Sequence, residues 1–194
     1  DPANNYGAIF YIATSPLRTA GVATSGTQYW MTDIVVTFSQ AVNNPILHIG
    51  GMGGTYGALG FSQEYDLISS NTPVTLTRLS GSNALAVTGT KINNTATTMG
   101  ASGTANSGSG SIRIDGTGVT TLTLRVYLRG DGGDAATTSW AASNTSAGEA
   151  DVVTLSFSLE NTSSSCITSQ PGSTPRNLCQ NVPPTPLSVT ATGA

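Results

Sequence analysis

Apolar residues recur at every second position through much of the chain. The alternation is cleanest in Thr121-Leu-Thr-Leu-Arg-Val-Tyr-Leu128. Leu122, Leu124, Val126 and Leu128 fall on one face there, and Thr121, Thr123, Arg125 and Tyr127 on the other. A period of two belongs to a strand with one buried and one wet face. The same pattern predicts strands over Asp33–Ser39, Ile46–Ile49, Val74–Leu79, Ser111–Asp115 and Val152–Leu159, with weaker ones at Gly7–Ala13, Tyr65–Ile68 and Ala84–Val87. No window combines three-and-four apolar spacing with helix formers and a cap. The expected fold is all-β, a two-sheet antiparallel β-sandwich or jelly roll of about nine strands.

Three segments between these strands are long enough to carry function. Gly50–Gly57 is glycine-dense, which implies positive φ values or a close backbone approach. Asn93–Gly110 is a run of Thr, Ser, Gly and Asn expected to be mobile, and Gly130–Gly148 carries Asp131, Asp134 and Trp140. After residue 160 the alternation stops and Ser, Pro and Asn take over. The sandwich is therefore expected over residues 1–160, and residues 161–194 as an appendage with an extended linker at Val182–Pro186. Cys166 and Cys179 flank a Pro/Gly/Ser loop at a spacing that fits no metal motif. A disulfide between them is expected, worth about 3 kcal/mol for a loop of this size.

Composition points toward an extracellular setting. Charged residues make up 9% of the chain, against about 25% in a typical soluble domain, and hydroxyls and amides keep the surface wet instead. A net charge of −3 gives no basic field for nucleic acid or anionic lipid. No apolar run approaches the roughly 18 residues that cross a bilayer. The chain opens on Asp1-Pro2 without an initiator Met or a signal peptide, and is expected to be part of a longer exported polypeptide.

The residues that could carry chemistry are few. The single His, His48, shares its strand face with Ile46 and is expected to be structural, not the base of a Ser-His-Asp triad. Most of the ten acids sit singly at strand ends, so no carboxylate pair for glycoside hydrolysis is evident, and the protein is not expected to be an enzyme. Asp131, Asp134, Glu149 and Asp151 bracket one loop, and the first three are the candidate ligands for a calcium ion, the alternative being that these acids cap turns and blunt strand edges. Arg129-Gly-Asp131 spells the integrin-recognition tripeptide where a strand gives way to a turn. Trp30, Tyr56 and Trp140, in or beside Gly/Ser/Thr-rich stretches, are the candidate ligand-binding aromatics together with Asp131, because a ring face stacks on the apolar face of a sugar. The lone Lys91 allows one internal isopeptide bond at most and is by default solvated. Asn93, Asn144 and Asn161 lie in glycosylation triplets.

Four stretches carry a resemblance. They are Ile34-Val-Val-Thr-Phe-Ser-Gln-Ala-Val-Asn-Asn-Pro-Ile-Leu-His-Ile-Gly-Gly-Met-Gly-Gly54, Gly108-Ser-Gly-Ser-Ile-Arg-Ile114, Val119-Thr-Thr-Leu-Thr-Leu-Arg-Val-Tyr127 and Asp151-Val-Val-Thr-Leu-Ser-Phe157. Together they resemble the lectin-like, non-repetitive domains of large bacterial fibrillar surface adhesins of the CshA type. The likeness spans residues 1–160 and leaves the cysteine tail uncovered. It implies a sandwich on a wall-anchored or surface-attached fibril that binds a glycan or a host or partner-cell protein through its loops. A structural stalk domain and a carbohydrate-active enzyme are the alternatives.

Overall fold

A computed structural model of the protein describes residues 7–133, 139–140, 150–159, 166–167 and 191–192. The chain divides into two units, Asp1–Glu160 and Asn161–Ala194. In the first, eleven strands and one short helix follow in the order β1 (Gly7–Ala13), α1 (Ser15–Thr19), β2 (Ser25–Val42), β3 (Ile46–Met52), β4 (Gly54–Tyr56), β5 (Leu59–Ser70), β6 (Thr75–Gly81), β7 (Leu85–Thr88), β8 (Lys91–Asn94), β9 (Gly108–Asp115), β10 (Val119–Asp131) and β11 (Ala150–Ser158). They form two antiparallel sheets. One runs β1-β11-β3-β9-β6, and the other runs β2-β10-β5-β8-β7 with β4 added to β5. In the second unit β12 (Cys166–Ile167) pairs with β13 (Ala191–Thr192). Cys179 lies outside the described residues.

The expected all-β sandwich is the observed fold, with eleven strands where about nine were read. Alternation generates the core directly. Leu122, Leu124, Val126 and Leu128 of β10 are fully buried, and the first three cluster with Ile112 and Ile114 of β9 from the opposite sheet. The first and last strands of the unit are neighbours, running Gly7 against Ser156 through Ala13 against Ala150.

A polar layer divides this interior. The main core holds Tyr65, Leu67, Val126 and Ile92, and a smaller one holds Leu17, Leu59, Phe61, Leu128 and Trp140. Between them, on the inner faces of β5 and β11, lie Gln63 and Asp151, both fully buried. β4 pairs with Leu59–Phe61 and β8 with Tyr65–Asp66, so residues 62–64 have no strand on that side of β5. Asp151 fills the gap. Its carboxylate accepts the backbone N–H of Gln63 and that of Gly53 at 3.0 Å, while the Gln63 amide donates to the Asp151 carbonyl at 2.7 Å. The Tyr65 hydroxyl donates to the Gln63 side-chain oxygen at 2.9 Å. A buried N–H left without an acceptor is costly, which explains an acid at this position.

The glycine-dense segment shows both features expected of it. Gly51 and Gly53 adopt φ of 89° and 150°, and a Cβ on Gly53 would lie 2.2 Å from the Gly100 carbonyl oxygen. The segment Asn93–Gly110, expected to be mobile, is instead pinned. Met99 is buried, its N–H donates to Asp131 at 2.8 Å, and the Asn94 amide donates to the carbonyls of Met52 and Asn106. Polar composition concealed this because the anchors are main-chain groups.

Burial pushes the Asp151 carboxyl up to about 7, against the backbone N–H groups of Gln63, Gly53 and Val152 that pull it down. The folded protein therefore holds this proton more tightly than the unfolded chain, whose aspartates titrate near an ordinary value of about 3.9. The stability it contributes is complete below about pH 4 and is lost as pH rises through about 7. Thermal unfolding followed by circular dichroism is expected to show a midpoint that falls over this range and then levels. In Asp151→Asn the slope should vanish even though the variant is less stable throughout. A wild-type midpoint flat from pH 4 to 8 would contradict the raised value.

Candidate functional site

In this charge-poor molecule the outer face of the six-stranded sheet carries three ion pairs and the most exposed aromatic ring among the described residues, Trp30. One row of residues crosses four strands in register: Asp33 on β2, Arg125 on β10, Asp66 on β5 and Lys91 on β8. Their charges alternate. Arg125 grips Asp33 through two parallel hydrogen bonds, Nε to Oδ1 at 2.9 Å and Nη2 to Oδ2 at 3.0 Å, and the Lys91 ammonium lies 3.3 Å from Asp66. Opposite charges directly across strands are the favoured arrangement. The Arg125 hydrogen bonds, followed by that from the Trp30 indole, hold the Asp33 carboxyl below the usual carboxylate range.

The adjacent row places Trp30 beside Tyr127 and Tyr127 beside Glu64. Trp30 is 63% exposed, yet it is not loose. Its Nε1–H donates to Asp33 at 3.0 Å, and the Arg125 guanidinium lies 5.0 Å from its ring centre, a cation–π contact. The Lys91 ammonium stands 5.9 Å from the Tyr127 ring centre. Glu64, covered though it points outward, accepts from Arg129 at 2.8 Å and from the Gln28 amide. Three positive and three negative side chains thus pair off on this face.

Trp30 reaches this face through a bulge. The register between β10 and β2 slips between Val126–Thr32 and Tyr127–Trp30, which gives β2 one extra residue. Met31 and Tyr29 pack against the smaller core, and Trp30 turns outward. The expectation that Trp30 sits beside a loop is corrected: it lies within a strand, on a flat sheet face.

The other candidate residues do not join it. Trp140 is 1% exposed and closes the smaller core, its ring against Phe61 and Tyr29 and its Nε1–H donated to the Ala23 carbonyl at 3.0 Å. The expected binding role for Trp140 is therefore corrected to a packing one, because the end of the sandwich has a large apolar gap beside Leu59 and Phe61. Tyr56, 42% exposed, sits at the tip of the β4–β5 hairpin.

Asp131 is likewise engaged. Its carboxylate accepts the N–H groups of Gly60, Met99 and Gly133 at 3.0, 2.8 and 2.9 Å, which fastens three segments together. Asp134 and Glu149, the other expected calcium ligands, lie outside the described residues. Among the described residues no group of three or more His, Cys, Asp or Glu could hold a metal ion. The Arg129-Gly-Asp131 tripeptide is not displayed. It ends β10, with Arg129 bound to Glu64 and to the Asn94 carbonyl and Asp131 occupied as above.

His48 lies half-buried on the outer face of the other sheet, Nδ1 at 2.8 Å from the Ser111 hydroxyl and Nε2 at 2.7 Å from that of Ser158. Two hydroxyls take both ring nitrogens, so no carboxylate orients the imidazole as a triad requires. Between the free edges of β1 and β2 runs an open groove of about 750 Å³, lined by Phe10, Ile34, Val36, Phe38 and Phe157 among others, with no charged side chain.

The sequence reading missed Asp33, Asp66 and Glu64 as members of the face. Arg125 and Tyr127 were already legible on the wet side of β10. Their partners lie on strands far along the chain, which periodicity cannot pair. Comparison with protein-family models, curated proteins and solved structures returns no match for this chain.

Replacing Asp131 by Ala is expected to destabilise the protein by about 1–3 kcal/mol, because three N–H groups lose a charged acceptor. Chemical denaturation with and without added calcium checks this. The loss should be the same in both, and a loss that appears only with calcium would restore Asp131 as a metal ligand.

Proposed function

We propose that this protein is the ligand-binding domain of a bacterial cell-surface adhesin, engaging a glycan or a surface protein of a host or partner cell without catalysis. The observation that carries the reading is Trp30. A tryptophan left 63% exposed while its edge and one face are held by Asp33 and Arg125 is a costly arrangement for a purely structural strand. Pre-ordered aromatic residues are what binding surfaces present. The resemblance to fibrillar adhesins and the low charge point the same way. The contact surface is a sheet face, where the sequence pointed to loops. A stalk domain, which only separates other domains, has no use for such a residue.

Among the described residues no helix is long and apolar enough to cross a membrane. On the adhesin reading the domain stands outside the cell as part of a larger secreted or anchored polypeptide, beside neighbouring domains of that polypeptide.

The test is a binding screen of the chain against immobilised glycans and extracellular matrix proteins, repeated with Trp30→Ala and with His48→Ala on the opposite sheet. Saturable binding that weakens by about tenfold or more in Trp30→Ala and holds in His48→Ala is expected, as for a central aromatic anchor. Silence across the screen would favour the stalk, and equal weakening in both variants would move the site elsewhere.

A further inference from the structure

We propose that the outer face of the six-stranded sheet recognises neutral pyranose sugars, with Trp30 as the ring on which one sugar stacks. This rests on the reading that the same face is the contact surface, and narrows it to one class of ligand.

Charge comes first. Asp33 pairs with Arg125, Asp66 with Lys91 and Glu64 with Arg129. The three pairs therefore leave the face without a net charge that would draw in a sulfated or sialylated sugar, and a neutral ligand needs none.

Shape comes next. Trp30 is fixed at its nitrogen edge by Asp33 and on one ring face by Arg125, so its large exposure is the exposure of the remaining face. The ring stands on a strand beside a bulge, and its exposed planar face suits a planar partner such as the apolar C–H face of a pyranose.

The surroundings then separate sugar from protein. The centre of a protein–protein interface is depleted of charged residues, whereas Trp30 is ringed by Asp33, Arg125, Gln28 and Tyr127. Ligand hydroxyls use such groups well. The Lys91 ammonium has three N–H donors, and among the described residues it faces Asp66, with nearly half of the side chain in solvent. Aromatic face and polar rim together describe a site for a hydroxyl-rich, uncharged ring.

The experiment is a fluorescence and calorimetric titration of the full chain with neutral gluco- and galacto-configured oligosaccharides, their sulfated and sialylated counterparts, and matrix proteins. Only two tryptophans are present, and Trp140 is buried, so a sugar seated on Trp30 shifts the exposed component of the emission. Expected is binding of neutral oligosaccharide that changes little with salt, falls about tenfold or more in Trp30→Ala and is partly kept in Trp30→Phe. Asp33→Asn, which loosens the ring without removing it, should weaken binding less than Trp30→Ala. An unchanged near-ultraviolet signal from Trp140 confirms that each variant folds.

Preference for the acidic sugars, steep salt dependence, or full affinity in Trp30→Ala would overturn the proposal. Binding of a matrix protein alone, lost in Trp30→Ala, would overturn the sugar while leaving the face as the contact surface. No binding to any probe would overturn both.

Discussion

The two sheets are held in fixed relation by one buried acid. Apolar packing between sheets is non-directional, and on its own leaves them free to slide by a side chain. The Asp151 carboxylate removes that freedom. It reaches from β11 across the interior to the main chain of β5 and of the β3–β4 turn, while Gln63 answers from the opposite side. Each bond in this layer is directional, so it adds a preferred alignment to the packing of the two sheets. The pinned segment after β8 depends on it indirectly, since Gly53, held by Asp151, is the residue on which Gly100 closes.

How much of this was legible follows from which interactions are local. β10 could be read residue by residue because the opposite sheet buries one of its faces and the other meets water. The first half of β2 could not, since the bulge at Met31 breaks the period of two at the point where Trp30 turns out. β4 and β8 are three and four residues long and sit among Gly and Asn, which mask so short a run. β5 is covered on both faces over Leu59–Tyr65, so Ser62 and Glu64 read as surface positions although they are buried. Trp140 was ambiguous by nature: a tryptophan in a polar stretch can close a core or face a ligand, and only the gap beside Phe61 decides.

The candidate face shows the same division. Arg125 and Tyr127 advertise themselves as the wet side of a strand, but Asp33 is 92 residues from Arg125 and nothing near either announces the other. In a chain of ordinary charge such a pair would be one among many. Here, where hydroxyls and amides do most of the solvating, six paired charges on a single sheet mark that sheet as different from its partner, whose outer surface holds the Ser–His–Ser arrangement at His48 and the Arg113–Asp115 pair.

The pairing of the first strand with the last has a mechanical consequence. Gly7 and Ser156 lie opposite one another at the end where β1 is entered and β11 is left. Tension carried by the polypeptide on either side of this unit pulls those two residues directly apart and loads the ladder one hydrogen bond at a time, from Gly7 toward Ala13, instead of shearing all of its bonds together. Under load the sandwich therefore peels open from this edge. The polar clasp at Asp151, at the far end of the same strand pair, is the last part of that pairing to give way.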